Sequence, residues 1–250
     1  GATAGPPTGV AWAARQLSVV PVGDILYVSN RFYVQAWNTV EKRWIWGVGL
    51  GGEQGGAHSW SLLPMRPVVA GDRLFVRRLT KAGPELAALE RASGKVLWQK
   101  RPEHHVASDP VFTRGKLFAV VCTIPDSGFL QFQMTGFHPD TGEVLSQEPL
   151  FRTRNLWGTQ PPCHLAEAPG RLIVMAGGCL VCCDLQGRPE WLRKSVWLPP
   201  AIDSGVHLQQ EQPPLIHDGR VYAMSPGSHE VVCLDVDSGR RLWSQPAPDA

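Results

Sequence analysis

The residues with most chemical potential lie in CLVCCDLQGRPEW, residues 179–191, where Cys182 and Cys183 stand side by side before Asp184. Adjacent thiols are the raw material of a redox disulfide, and Cys179-Leu-Val-Cys182 has the outline of a C-x-x-C pair. A disulfide between neighbours demands a distorted turn, which a paired extended strand does not readily host. No strand-then-helix context follows the C-x-x-C, and the six cysteines form no second C-x-x-C or C-x-x-C…H-x-x-x-H spacing. Zinc and thioredoxin chemistry are therefore not indicated. DVDSG at 235–239 opens like a calcium loop, but its glycine arrives one place early and Pro246 stands where a bidentate glutamate is needed. His104-His105 has no third ligand at a recognisable spacing and reads as a solvated loop. Asp109 and Asp140 occupy turn positions, which leaves no isolated carboxylate pair for acid–base work. GLGGEQGGAHSW (49–60) is glycine-rich without the strand-to-helix frame of a phosphate loop.

The elements that position these residues come from an internal repeat. AALERASGKVLW (87–98) aligns without a gap with VCLDVDSGRRLW (232–243). TGFHPDTGEVLS (135–146) fits with Ser146 in place of Trp, QAWNTVEKRWIW (35–46) fits with its Thr-Gly step degraded to Glu41-Lys42, and VCCDLQGRPEW (181–191) fits one residue short. The closing positions 46, 98, 146, 191 and 243 are separated, by subtraction, by 52, 48, 45 and 52 residues. Upstream of each lies a glycine turn and an alternating strand: VGDILYV, AGDRLFV, RGKLFAV, PGRLIVM and DGRVYAM. Each unit thus predicts four short antiparallel strands, with Asp-x-x-Ser/Thr-Gly joining the last two. A period of this length is that of a β-propeller blade. In this frame Cys182 and Cys183 are consecutive strand residues that face opposite sides of a sheet.

Composition agrees. A chain of 250 residues with 43% hydrophobic and 18% charged residues is a folded body, and 26 glycines with 22 prolines call for frequent turns and few helices. A net charge of +2 gives no electrostatic reason for a nucleic-acid partner. The longest apolar stretch, Leu172 to Cys183, is too short to cross a bilayer and reads as strand, two-residue turn, strand. The opening GATAGPPTG shows no targeting peptide.

ALERASGKVLW and CLDVDSGRRLW resemble the tryptophan-docking repeat of the quinoprotein-like (PQQ-like) β-propellers, and the likeness runs from about Val19 to Trp243. The resemblance implies an all-β propeller of four-stranded antiparallel blades, one domain over 1–250 with approximate units 13–46, 61–98, 107–146, 165–191 and 209–243. It implies that Trp46, Trp98, Trp191 and Trp243 pack between neighbouring blades, near small residues such as Ala88 and the turn glycines Gly94, Gly142 and Gly239. Family rings usually hold about seven or eight blades. The five units here, with a remnant TGVAW at 8–12, make either a smaller ring or an arc of a larger one.

In the family's cofactor-dependent alcohol dehydrogenases a disulfide of adjacent cysteines lies against the quinone, in a cofactor-facing loop rather than the strand slot of Cys182-Cys183. The expectation is therefore no catalytic residue, no metal and no cofactor, with PQQ and calcium entering only if the chain is part of a quinoprotein dehydrogenase. The favoured reading is a non-catalytic scaffold for protein or ligand binding, similar to the propeller lipoproteins of outer-membrane assembly or to propeller sensor domains. The resemblance places such a scaffold in a periplasmic or other extracytoplasmic compartment, its partner being a protein or a neighbouring domain of a larger chain. Recognition then falls to the irregular segments 49–60, 152–164 and 194–212. There Arg152, Arg154, Trp157, Trp197 and His207 line a surface or channel mouth, unless the aromatics merely cap blade edges.

Overall fold

The computed structural model describes residues 17–30, 33–49, 66–80, 83–123, 128–154, 163–194, 213–225 and 230–246. These fold into five antiparallel sheets in chain order, with no helix among them. The first sheet is β1 (Ser18–Val22), β2 (Ile25–Ser29), β3 (Tyr33–Asn38) and β4 (Arg43–Gly49); the second is β5 (Val68–Ala70), β6 (Arg73–Thr80), β7 (Gly83–Glu90) and β8 (Val96–Lys100). The third holds β10 (Val111–Thr113), β11 (Lys116–Thr123), β12 (Phe129–Phe137) and β13 (Val144–Arg154), and a short strand β9 (His105–Val106) also pairs with β11. The fourth is β14 (Cys163–Ala168), β15 (Arg171–Ala176), β16 (Cys179–Asp184) and β17 (Pro189–Lys194); the fifth is β18 (Leu215–His217), β19 (Arg220–Ser225), β20 (Glu230–Asp235) and β21 (Arg241–Pro246). Within each sheet the four main strands pair in sequence order, the meander of a propeller blade, and β9 alone among the described strands joins out of that order.

Both faces of each inner sheet are covered, so the core is a series of layers between sheets. Tyr27, Val34 and Ala36 of the first sheet meet Leu74, Val76 and Leu89 of the second. Phe75 and Trp98 of the second meet Leu117, Ala119 and Phe137 of the third. Phe118, Phe132 and Met134 of the third meet Leu172, Val174 and Val181 of the fourth, and Ile173 and Cys182 of the fourth meet Val221, Leu234 and Val236 of the fifth. No buried cluster among the described residues bridges the fifth sheet to the first.

A β-bulge recurs at one place in every sheet: Ala36/Trp37, Ala88/Leu89, Gly136/Phe137, Cys182/Cys183 and Cys233/Leu234. The bulge sets the small residue directly opposite the repeat's closing position, so Ala36 pairs with Trp46, Ala88 with Trp98, Cys182 with Trp191 and Cys233 with Trp243. The large indole thus lies across a position with little bulk and leans toward the next sheet.

There it meets a turn. Trp46 Nε1 donates to the Arg91 carbonyl at 3.0 Å, Trp98 Nε1 to that of Pro139 at 2.8 Å and Trp191 Nε1 to that of Val236 at 2.9 Å. Each acceptor stands three residues before the glycine that underlies the ring. A Cβ placed on Gly94, Gly142 or Gly239 would come within 2.6 Å of the indole, and all three have φ between 64° and 73°. Glycine answers two requirements at once, a left-handed backbone and an empty side-chain position. The turn is closed by its own polar groups: the Gly239 N–H donates to the Asp235 carbonyl at 2.9 Å and the Ser238 N–H to Asp235 Oδ1 at 2.8 Å.

Two junctions depart from this scheme. Where Ser146 replaces the indole, Gly187 instead approaches Met134, and the layer is filled by Phe132 stacked on Phe151 at 4.8 Å. Trp243, expected to dock like the others, has no sheet beyond it among the described residues and stays 39% exposed, against 9% for Trp98.

Trp98→Ala is accordingly expected to lower unfolding free energy by roughly 3 to 5 kcal/mol, and Trp243→Ala by only about 1 to 2 kcal/mol, both measured by denaturant titration. Equal losses would mean that docking does not distinguish the two rings. A second comparison isolates the glycine. Gly142→Ala puts a methyl into the Trp98 ring, whereas Gly115→Ala, at φ 74° with nothing within 4 Å of the new Cβ, bears only the backbone strain. The first should cost at least about 1 kcal/mol more than the second.

Candidate interaction face

The β1–β2 and β3–β4 hairpins and their counterparts lie at one end of the sheets, and every one of them except β3–β4 bears a glycine. The last residues of β2, β6, β11, β15 and β19 lie at the other, the loop end. The cross-sheet ion pairs Arg73–Asp140 and Arg171–Asp237 (2.8 Å) brace the turn end. Arg43–Glu41, Arg171–Glu190 and Arg188–Asp184 also pair there, and the loop end carries the pairs Arg77–Asp109 and Arg78–Glu85.

Its central feature is Arg77 on β6. Arg77 follows an apolar run in a strand buried on both faces, so its side chain is carried inward and is only 2% exposed. Nη1 donates to the Ala107 carbonyl at 2.8 Å, and Nε lies 3.6 Å from Asp109 Oδ1, an ion pair longer than a hydrogen bond. Asp109 Oδ2 accepts from the Arg66 N–H at 2.9 Å. Burial pushes the Asp109 carboxyl above its ordinary range, against the opposing charge of Arg77. Arg77 Nε and Asp109 Oδ1 are both buried without a hydrogen-bond partner.

Next to it, Arg78 Nη1 donates to Gln99 Oε1 at 2.8 Å and lies 3.8 Å from Glu85 Oε1. Glu85 is 8% exposed, and burial raises its carboxyl while Arg78 and Arg101 pull it back. Burial also lowers His105, helped by the charges of Arg101 and His104. Farther round, β12 and β13 run on to this end. Phe129 pairs with Arg154, and the Arg152 guanidinium lies 5.2 Å over the Phe129 ring.

Of the recognition residues nominated from the sequence, Arg152 and Arg154 thus share the end of β13. Trp157, Trp197 and His207 lie outside the described residues. Two other readings need correction. Asp109 is not a repeat turn residue but the counter-charge of a buried arginine between two sheets. His105 is not in an open loop but in β9, opposite Cys122, because a two-residue strand extends the inner edge of the third sheet. Sequence reasoning missed Arg77, Arg78 and Glu85. The available signal was Arg77-Arg78 inside an alternating strand, where one of two neighbouring arginines must face inward.

Cys182 and Cys183 are both fully buried and belong to different layers, Cys182 between the fourth and fifth sheets and Cys183 between the third and fourth. Burial, with the Glu190 carboxylate adding to it, pushes Cys182 up to about 12; burial alone takes Cys122 to about 12. Neighbouring thiols on opposite faces do not fit a disulfide laid against a quinone. Among the described residues, no group of three or more His, Cys, Asp or Glu side chains could hold a metal ion.

The sequence matches the family model described as outer membrane protein assembly factor BamB over residues 30–250, and the chain belongs to that family. In fold it is similar to BamB from Moraxella catarrhalis, with a TM-score of 0.59 at 17% identity over 91% of this chain and 60% of that one. It is also similar to the WD40 domain of Neurospora crassa Pan2, with a TM-score of 0.57 at 10% identity over 93% and 65%. Comparison with curated protein sequences returns no match.

Two outcomes test this description. Asp109→Ala leaves Arg77 buried without its counter-charge and is expected to cost roughly 2 to 4 kcal/mol, most of it recovered in an Arg77→Met/Asp109→Ala double variant. A double variant as weak as the single one would refute the pairing. All six thiols are buried, so a thiol reagent at about pH 8 should label none until denaturant is added. Because burial makes the folded thiols of Cys122, Cys179, Cys182 and Cys183 titrate above their unfolded value of about 8.5, their contribution to stability is complete below that pH. It is lost as pH rises through the folded values, so the denaturation midpoint should fall steadily above about pH 9.

Proposed function

We propose, from the chain's place in the BamB family and the chemistry of its loop end, that it is a non-catalytic propeller scaffold that holds a protein partner in an extracytoplasmic compartment, during outer-membrane protein assembly. The observation that carries this reading is the division between the two ends. The turn end seats the docking indoles on glycine turns, whereas the loop end presents the exposed Arg152 over the Phe129 ring, on a frame of stacked sheets. An exposed arginine on an aromatic ring has the composition enriched at protein contact surfaces. The near-neutral net charge of +2 supports a protein partner over nucleic acid. No helix of the described residues is long and apolar enough to cross a membrane.

A photo-crosslinking side chain placed at Arg152 should capture a protein partner in cells, while the same group at Lys116, in the turn-end hairpin between β10 and β11, should not. Arg152→Glu should weaken binding of the captured partner at least tenfold, the loss expected of a contact worth about 1.4 kcal/mol or more. Reduction of an artificial electron acceptor by the protein with PQQ, calcium and an alcohol or sugar would overturn the non-catalytic reading.

A further inference from the structure

One row of side chains at the loop end of the second sheet answers no demand of the repeat. Arg78 on β6 pairs with Glu85 on β7, and Arg101 stands one residue past Lys100, the β8 residue that pairs with Leu86. Arginine, glutamate and arginine thus follow one another across the sheet, and the charges of both arginines act on the Glu85 carboxyl. The same row holds Val121, Gln133 and Pro149 in the third sheet, Ala176, Cys179 and Lys194 in the fourth, and Ser225, Glu230 and Pro246 in the fifth. None of these sets two cations about one acid.

Within the row the charges do not balance. Arg78 Nη1 is taken by the neutral Gln99 amide oxygen at 2.8 Å, its distance to Glu85 Oε1 is 3.8 Å, longer than a hydrogen bond, and Arg78 Nε is buried without a hydrogen-bond partner. One carboxylate faces two guanidinium charges. Glu85 is buried, Arg78 is half-buried, and Gln99 and Arg101 are exposed, so the row opens from its own acid toward its second arginine. A guanidinium presents a planar fork of donors that matches a carboxylate in paired, charge-assisted bonds. An excess of one positive charge suits a singly charged carboxylate, and Glu85 shows that such a group is accommodated beside these arginines.

We propose that Arg78 and Arg101 form a receiving site for the carboxylate of an aspartate or glutamate on the protein partner, with Glu85 as the resident acid that moderates its affinity. The site rests on the scaffold reading given above and adds to it the chemistry of the partner, an acidic segment that reaches the loop end of the second sheet. Arg152 over Phe129 lies on the third sheet, and a contact there neither requires nor excludes it.

Fluorescence anisotropy with a labelled peptide of alternating glutamate and serine, and with its glutamine counterpart, tests the site on the 250-residue chain. The unaltered chain is expected to bind the glutamate peptide saturably and the glutamine peptide at least about tenfold more weakly. Arg101→Gln should weaken the glutamate peptide by a similar factor, and Lys116→Gln at the turn end should leave it unchanged. Glu85→Gln removes the resident charge and keeps the shape, so it should tighten binding severalfold, a gain that damage to the fold would not produce; thermal unfolding checks each variant. Equal binding of the two peptides, a folded Glu85→Gln variant that binds no more tightly, or displacement of the peptide by inorganic phosphate more readily than by free glutamate would each overturn the site. Crosslinking at Arg152 reports on the scaffold reading separately. Capture of a protein there, with peptide binding indifferent to Arg101→Gln and Glu85→Gln, overturns the carboxylate site alone, whereas peptide binding that follows all three variants supports the site even where Arg152 captures nothing and the scaffold reading fails.

Discussion

An indole seated on a glycine, with its N–H on a carbonyl three residues upstream, is the contact from which the rest of this architecture follows. A four-stranded sheet of this size cannot bury both faces alone, so its stability comes from its neighbours. The indole supplies a large apolar area and a directional bond in the same side chain. Its receiver must adopt positive φ and present no Cβ, and only glycine meets both conditions without strain. Because the bulge sets a small residue across from the closing position, the indole reaches a carbonyl of the next sheet at three of the four junctions. The junction of the third and fourth sheets shows that the contact can be replaced: Met134 and the stacked Phe132 and Phe151 fill the layer in which Ser146 offers no ring.

Features that recur were legible from sequence, because repetition turns a weak local pattern into a strong one. Five closing positions at nearly constant spacing were enough to place the sheets, their hairpins and the docking glycines. The strand period alone separated Cys182 from Cys183, and the structure sends them into different layers even though the bulge falls between them. Features that occur once were not legible. Arg77 reads as an ordinary strand residue until the segment after β9 is folded against it, and Asp109 reads as a turn residue until Arg77 is found beside it. Trp243 belongs to the repeat by sequence, but its burial depends on what lies next to it, which no property of its own segment encodes.

The polar chemistry of the loop end bears on how a rigid stack can present a surface. Arg77 is bonded to the Ala107 carbonyl and faces Asp109, which in turn holds the Arg66 backbone, so one guanidinium fixes the start of the second sheet's inner strand and the approach to the third. A buried ion pair is weak support for stability as such, since desolvating both charges offsets most of their attraction. Its more defensible role is geometric. A hydrophobic pair would tolerate sliding of one sheet on the next, whereas an arginine that bonds a named carbonyl and faces a named carboxylate admits one register.

That distinction explains why the two ends of the molecule differ in kind. At the turn end, the repeat calls for a small residue, an indole and a glycine turn at matched places, and only Lys42 in the first sheet and Ser146 in the third depart from it among these positions. At the loop end, no repeat position is demanded, so the charged residues there are individual to each sheet: Arg77 and Arg78 in the second, His105 and Arg152 in the third. A surface that recognises something must be asymmetric around the stack, and only the end released from the docking requirement can supply that asymmetry. The uniform contacts that hold the sheets together are thus what allow the opposite end to vary.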